Sequence, residues 1–124
     1  MSKVVRVANA MISNQNKITD VINSGSEFYF LYDNKYKWSI RLNDRDNNYF
    51  LIYYASDLSL NEICQYYDYP GNNNDIPLVT YNTKDLNSKE AYETFAELYV
   101  IVKEKVLNID KVFDDILKDG QSKI

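Results

Sequence analysis

The chain has 124 residues, of which 45% are hydrophobic and 26% charged, and it carries a net charge of −4. These values are typical of one soluble globular domain, so residues 1–124 are expected to form a single unit. Because the chain has no histidine and one cysteine, it lacks the commonest general base and cannot form an intrachain disulfide or a cysteine-cluster zinc site. We therefore predict no catalytic residues, no metal and no cofactor, and we expect that the protein is not an enzyme.

The composition is biased toward four residue types. Asparagine, tyrosine, lysine and isoleucine together supply 49 residues, and all four have AT-rich codons. This bias is typical of an AT-rich, bacterial or phage-like genome. The 12 tyrosines have two interpretations, because tyrosine suits half-buried strand positions and also binding surfaces.

The first segment, residues 3–23, has the spacing of an amphipathic helix. Val4, Ala8 and Met11 recur at intervals of three and four residues, and apolar residues beyond position 17 continue this pattern. The Asn-Gln-Asn run at 14–16 consists of poor helix formers, so a helix broken into two pieces is the alternative.

Three segments between residues 27 and 55 predict an antiparallel meander. Residues 27–32 are dense in aromatic side chains, residues 36–42 alternate between apolar and polar types, and residues 49–55 are again aromatic and aliphatic. The polar stretches between them are short enough to be hairpin turns.

In the second of these strands, the alternation assigns each side chain to a face of the sheet. Trp38 belongs to the apolar set, which predicts that it faces the core. Lys37, Ser39 and Arg41 point the other way, which predicts a second face that is more exposed to water.

The stretch from residue 56 to residue 81 predicts a helix, a loop and a strand. Residues 58–67 fit a short helix whose N-cap is either Asp57 or Ser59. Residues 68–75 have the composition of a loop, and residues 76–81 fit a strand whose proline favours a place at the edge of the sheet.

The C-terminal third predicts two consecutive helices. Asn87 and Glu90 fit the N-cap and third position of a capping box, and an apolar stripe then continues to Val106. A second helix begins near residue 108 and is expected to end at Gly120, since glycine commonly terminates helices. The tail, about residues 120–124, is expected to be flexible.

These elements together predict an α+β fold. A single domain should contain an antiparallel sheet of three to four strands, with the N-terminal helix and the C-terminal helical segment packed on one face of that sheet.

One turn resembles part of a calcium loop. Residues 44–48 have the Asp-x-Asp-x-Asn spacing whose oxygens can converge on one ion. The match fails beyond this point, because Tyr49 stands where such a loop needs glycine and Ala55 where it needs a bidentate glutamate. We interpret this segment as a polar hairpin turn without a metal.

Two surfaces are candidates for binding. Residues 90–119 contain eight acidic and four basic residues, so most of the excess negative charge lies near the C-terminus. Glu93, Glu97 and Glu104 fall off the apolar stripe and are our candidates for contact with a basic partner. An acidic helix that serves only solubility is the alternative interpretation.

The second candidate surface lies on the polar face of the sheet. Lys37 and Arg41, with Arg45 in the following turn and Tyr53 from the next strand, would place cations beside aromatic rings. Such a basic, Tyr-rich face suits a nucleotide or single-stranded nucleic acid. Ordinary protection of a sheet by surface lysine and arginine explains the same residues without a ligand.

These observations favour a small, acidic, non-catalytic protein that binds or regulates another protein. An inhibitor or immunity-type protein that occludes a surface of its partner is the most specific version of this hypothesis, and binding of a nucleotide or nucleic acid by the sheet face is the alternative. The longest apolar runs are far shorter than the roughly 20 residues that span a bilayer. We therefore expect no membrane partner and a cytoplasmic location.

Overall fold

A computed structural model describes residues 1–68 and 76–122 of the chain. The described part contains five strands: β1 (Ile18–Ser24), β2 (Glu27–Tyr32), β3 (Tyr36–Asn43), β4 (Asn48–Tyr54) and β5 (Leu78–Asn82). It also contains five α-helices: α1 (Lys3–Ser13), α2 (Leu60–Asp68), α3 (Thr83–Leu86), α4 (Lys89–Leu107) and α5 (Ile109–Ser122).

All five strands belong to one antiparallel sheet in the order β1-β2-β3-β4-β5. The predicted α+β class and the antiparallel meander are confirmed. The predicted number of three to four strands is too low, because β1 lies in a stretch that the sequence pattern assigned to the N-terminal helix. As predicted, β5 is an edge strand.

The N-terminal helix ends ten residues earlier than predicted. The prediction was too long because a bulge in β1 gives the apolar residues of this strand the spacing of a helix. Asn14 closes α1, and the pairing of β1 with β2 then shifts its register around Asp20, which has a φ of 54°. The bulge places Val21, instead of Asp20, on the same face of the sheet as Ile18, while Ile22 packs on the opposite face. Apolar residues therefore follow Ile18 at the spacing of a helix, although the backbone is extended.

The larger core lies between one face of the sheet and the helices α1 and α4. The register predicted for β3 is confirmed, because Ile40 is fully buried in this core and Trp38 packs against it. The side chains that are almost completely buried here come from both helices and four strands: Val5, Met11, Ile18, Phe30, Ile40, Leu51, Phe95, Leu98 and Val102.

A second, smaller core lies on the opposite face of the sheet, under α2. Leu60, Ile63 and Cys64 of this helix pack against Tyr29 and Tyr54. The face that was expected to be more exposed to water is therefore partly covered. The N-terminal helix α1 and the C-terminal helix α4 share one face of the sheet, as predicted, while α2 covers part of the other face.

The ends of three helices refine the predicted boundaries. Of the two candidate caps for α2, Ser59 is the one used, since its hydroxyl accepts from the Glu62 N–H at 3.1 Å. Ser88, not Asn87, caps α4, because Asn87 has left-handed backbone angles and closes α3. Gly120 lies inside α5 and does not end it. Of the loop predicted at 68–75, Asp68 belongs to α2, and residues 69–75 lie outside the described residues. Of the tail predicted at about 120–124, residues 120–122 belong to α5, and residues 123–124 lie outside the described residues.

Six non-glycine residues in the described part of the chain have positive φ angles, and all are Asn or Asp. Short polar side chains tolerate this region best because they hydrogen-bond to the nearby backbone. They lie at the bulge of β1, in two hairpin turns and after α3 and α4: Asp20, Asp33, Asn34, Asn47, Asn87 and Asn108. Part of the asparagine richness is therefore used by the fold itself.

The substitutions Trp38→Ala and Trp38→Phe should differ widely in their effect on stability. Trp38 is half-buried and packs on Tyr53 with ring centroids 5.0 Å apart, but its buried Nε1–H has no acceptor among the described residues. We expect alanine to cost about 2–4 kcal/mol of unfolding free energy, and phenylalanine, which keeps a ring and removes the unpaired donor, under about 1 kcal/mol. Urea titrations followed by circular dichroism measure both, and equal losses would show that the indole N–H is satisfied.

Candidate functional site

The three glutamates predicted to contact a partner lie together on α4. Glu97 follows Glu93 by four residues and Glu104 follows Glu97 by seven, so at about 100° per residue they share one side of the helix. All three are exposed, and they point away from the buried side that carries Phe95 and Leu98. We call Glu93, Glu97 and Glu104 the acidic ridge, which extends roughly 16 Å along the helix.

The charge of the acidic ridge is only weakly compensated within α4. Lys89 Nζ lies 3.7 Å from a carboxylate oxygen of Glu93, and both side chains are well exposed. Such a pair contributes little stability, because water competes for both charges. The ridge therefore remains available to a basic surface, and its role in binding stays a prediction.

An exposed apolar surface that was not among the predicted binding surfaces lies on α5. Ile109, the first residue of α5, is partly buried. Four apolar side chains that follow it are between 44% and 64% exposed: Val112, Phe113, Ile116 and Leu117. We call these four residues the apolar stripe. They form one side of the helix, and no described residue covers them.

The apolar stripe was visible in the sequence as a helical pattern, but its exposure was not. Apolar spacing normally predicts that a helix packs on its own core, as it does for α4. The exposed Leu107 is the last residue of α4, Asn108 closes that helix with left-handed backbone angles, and α5 begins at Ile109. Whether a stripe is covered depends on the tertiary structure, which spacing alone cannot reveal.

The residues of the basic candidate surface do not lie together. Lys37 and Arg41 occupy the α2 side of the sheet, as expected for that register. Tyr53 pairs directly with Trp38 and therefore points to the opposite side, so its assignment to the basic face is wrong. Arg45 lies in the exposed turn between β3 and β4.

The two cations on the sheet already have partners within the chain. Lys37 Nζ donates to the Ser56 carbonyl oxygen at 2.8 Å. Arg41 Nε lies 3.4 Å from a carboxylate oxygen of Glu27, and its guanidinium carbon is 4.1 Å from the centre of the Phe50 ring. An anionic ligand would have to displace these contacts, which weakens the case for a nucleotide or nucleic-acid site.

Between Lys37 and Arg41, a short chain of hydrogen bonds joins the side chains of Glu27, Ser39 and Tyr54. The fully buried Ser39 hydroxyl donates to a Glu27 carboxylate oxygen at 2.6 Å and lies 2.7 Å from the Tyr54 hydroxyl. Since Ser39 has a single hydroxyl proton, Tyr54 is the donor in the second bond. Burial raises the pKa of Tyr54 and keeps it protonated at neutral pH. This chain links three strands and leaves Ser39 inaccessible to a substrate.

The pH dependence of stability should reveal the cost of keeping Glu27 ionised. Burial raises the pKa of Glu27, although the Ser39 hydroxyl and Arg41 act in the opposite direction. A raised folded-state pKa means that protonation favours the folded chain, so this contribution improves as pH falls from 7 toward the unfolded value near 4.5. Over that range, the stability of the wild type should rise relative to that of Glu27→Gln, as measured by urea titration.

The control for this measurement is Glu93→Gln, which removes an exposed carboxylate and should change stability at pH 7 by less than about 0.5 kcal/mol. If the Glu27→Gln difference moved in the other direction, attraction to Arg41 would outweigh burial.

The turn that resembles a calcium loop is held by an ion pair. Lys84 Nζ lies 2.9 Å from an Asp46 carboxylate oxygen, and this hydrogen bond is the main cause that lowers the pKa of Asp46. Within residues 1–68 and 76–122, no group of three or more Cys, Asp or Glu side chains is arranged to hold a metal ion.

Tyr53 belongs instead to an apolar hollow beside α1. This hollow has a volume of about 710 Å³ and adjoins another of about 260 Å³. Tyr36 and Trp38 line both, while Lys3 is the charged residue at the larger one. Three of the twelve tyrosines, Tyr36, Tyr53 and Tyr81, are therefore walls of the larger hollow.

No protein family, curated protein or solved structure matches the chain. Among the described residues, no helix is both long and apolar enough to cross a membrane.

Proposed function

We propose that the protein is a non-catalytic binding protein that occludes a surface of another protein through α4 and α5. The observation that carries this proposal is the exposure of the apolar stripe on α5. Apolar surface of this kind, bordered by polar residues, marks sites of protein interaction in soluble chains. The acidic ridge on the neighbouring helix supplies charge that can guide a basic partner.

The size of the apolar stripe is sufficient to contribute to specific binding. Complete burial of one large apolar side chain is worth about 1.5–3 kcal/mol relative to full exposure. Covering four side chains that are about half exposed would therefore contribute on the order of 4 kcal/mol. Because the stripe belongs to an ordered helix of 14 residues, little conformational entropy is lost on binding.

An inhibitor or immunity-type role is the most specific form of this proposal. A short acidic chain whose helices present a firm surface can block a basic functional site by covering it. The sheet face offers weaker support for the nucleotide or nucleic-acid alternative, because Lys37 and Arg41 are engaged within the chain.

Affinity capture from host lysate with matched variants tests the proposal. The double variant Phe113→Ser, Ile116→Ser removes the centre of the apolar stripe, whereas Lys111→Ser, Lys118→Ser changes the opposite side of the same helix. We expect the first to lose a protein that both the wild type and the second retain, with or without nuclease treatment. The proposal would be contradicted if capture depended on nucleic acid, or if Phe113→Ser, Ile116→Ser still captured the same protein.

Charge reversal on the acidic ridge should change kinetics more than affinity. With the captured partner, Glu93→Lys combined with Glu97→Lys and Glu104→Lys should lower the association rate constant and its dependence on salt, because charges at the rim mainly set the on-rate. Biolayer interferometry at two salt concentrations measures this. An unchanged rate constant would remove the acidic ridge from the contact surface.

A further inference from the structure

Among the described residues of α5, the charged residues that border the apolar stripe are acidic. At about 100° per residue, the stripe together with Ile109 covers an arc of roughly 140° on α5. Asp110 and Asp114 follow one edge of this arc, and Asp115 follows the other. All three aspartates are exposed.

The two lysines of α5 lie at the back of the helix. Lys111 and Lys118 are seven residues apart and therefore share one side, which is opposite the centre of the apolar stripe. Lys111 and Asp115, like Asp114 and Lys118, are four residues apart, a spacing that allows ion pairs along the back of α5. Both lysines nevertheless lie away from the apolar stripe, so the edges of the stripe carry a single sign of charge.

From this arrangement, and resting on the proposed function, we infer that the partner contributes a basic amphipathic helix that lies along α5. Its apolar side would cover the stripe, while lysine or arginine residues on both edges would face the aspartates. Helix-against-helix recognition of this kind uses apolar anchors at intervals of three and four residues, which is the spacing of Val112, Phe113 and Ile116.

A second copy of the chain is a poor occupant for the same face. Two α5 helices packed stripe to stripe, in either direction, would bring aspartates against aspartates along both edges. Like charges at such edges oppose pairing, in the way that they select partners in coiled coils. An anionic lipid surface is disfavoured for the same reason.

Two synthetic peptides test the inference with the full chain. Both are 18-residue amphipathic helices with the same leucine positions, and one carries lysine where the other carries glutamate at the edges of the leucine face. Fluorescence anisotropy of each labelled peptide gives its affinity. We expect the lysine peptide to bind at least tenfold more tightly than the glutamate peptide, with the difference narrowing as salt is raised.

A charge swap on α5 makes the test specific. The double variant Asp114→Lys, Asp115→Lys places a cation on each edge of the apolar stripe, offsets the remaining negative charge there and should abolish the preference for the lysine peptide. The control Asp44→Lys, Asp57→Lys changes the net charge by the same amount at exposed sites outside α5 and should keep the original order. Circular dichroism checks that both variants keep their helix content.

The outcomes separate this inference from the function on which it rests. Suppose that Phe113→Ser, Ile116→Ser loses the captured protein but Asp114→Lys, Asp115→Lys leaves the peptide preference unchanged. The proposed binding function then stands, and the inference that the partner helix is basic is wrong. If neither peptide binds and sedimentation shows stripe-dependent dimers, a second copy is the occupant and the inference fails. Equal binding of both peptides overturns it as well.

Discussion

Phe95→Ala should lower the free energy of unfolding by about 3–5 kcal/mol, a large part of the stability of a small domain. Phe95 is fully buried in α4, at the centre of the core that joins α4 to α1 and the sheet. Removing its ring takes apolar surface out of the core and leaves a cavity that rigid neighbours fill only in part. Chemical denaturation followed by circular dichroism gives the change in free energy.

The matched control lies on the exposed side of the same helix. Val100→Ala replaces a side chain that is 49% exposed and introduces a better helix former, so its effect should stay within about 0.5 kcal/mol. A loss of less than about 1 kcal/mol for Phe95→Ala would mean that α4 does not pack on the sheet as described.

Helices and strands that bury their apolar side chains along a single side were predictable from the sequence. In α4, the positions of Ala91, Phe95, Leu98 and Val102 follow a helical period, and all four are buried. In β3, strict alternation placed each side chain on its face. In both elements the local pattern and the tertiary environment impose the same period, so the pattern alone is sufficient.

The predictions failed where tertiary structure changes the period or the partner of a segment. The bulge at Asp20 places Val21 on the same face of the sheet as Ile18, three residues earlier, and this spacing imitates a helix. Tyr53 was assigned to the basic face, although a shift of one residue along a strand moves a side chain to the other face. The pairing of β4 with β3 fixes that choice, and no signal within β4 itself does.

For the candidate site as well, one part was predictable from the sequence and another part was not. The spacing of the glutamates was enough to place the acidic ridge on one side of α4, since an exposed helix side follows from the position of the buried one. The exposure of the apolar stripe on α5 depends on the absence of a covering element among the described residues. The border of aspartates was present in the sequence as a pattern, but it had no meaning until the stripe was known to be exposed.

Asn48→Ala should destabilise the chain by about 2–4 kcal/mol, although it removes only a small polar side chain. Asn48 is buried at the start of β4, where its Oδ1 accepts from the Thr83 hydroxyl at 2.8 Å and from the Lys84 N–H at 3.0 Å. Its Nδ2 donates to Asn82 Oδ1 at 3.3 Å. Alanine would leave the Thr83 and Lys84 donors unpaired where the chain turns from β5 into α3.

The Thr83 hydroxyl connects this site to the backbone of β4, because it also accepts from the Tyr49 N–H at 3.0 Å. Thr83→Val should therefore be destabilising as well, and the double variant with Asn48→Ala should cost less than the sum of the two single changes by at least about 1 kcal/mol. Asn61→Ala, an exposed substitution on α2, is the control and should change stability by less than about 0.5 kcal/mol. Strict additivity of the Asn48 and Thr83 substitutions would show that the two side chains do not share the hydrogen bond that joins β4 to α3.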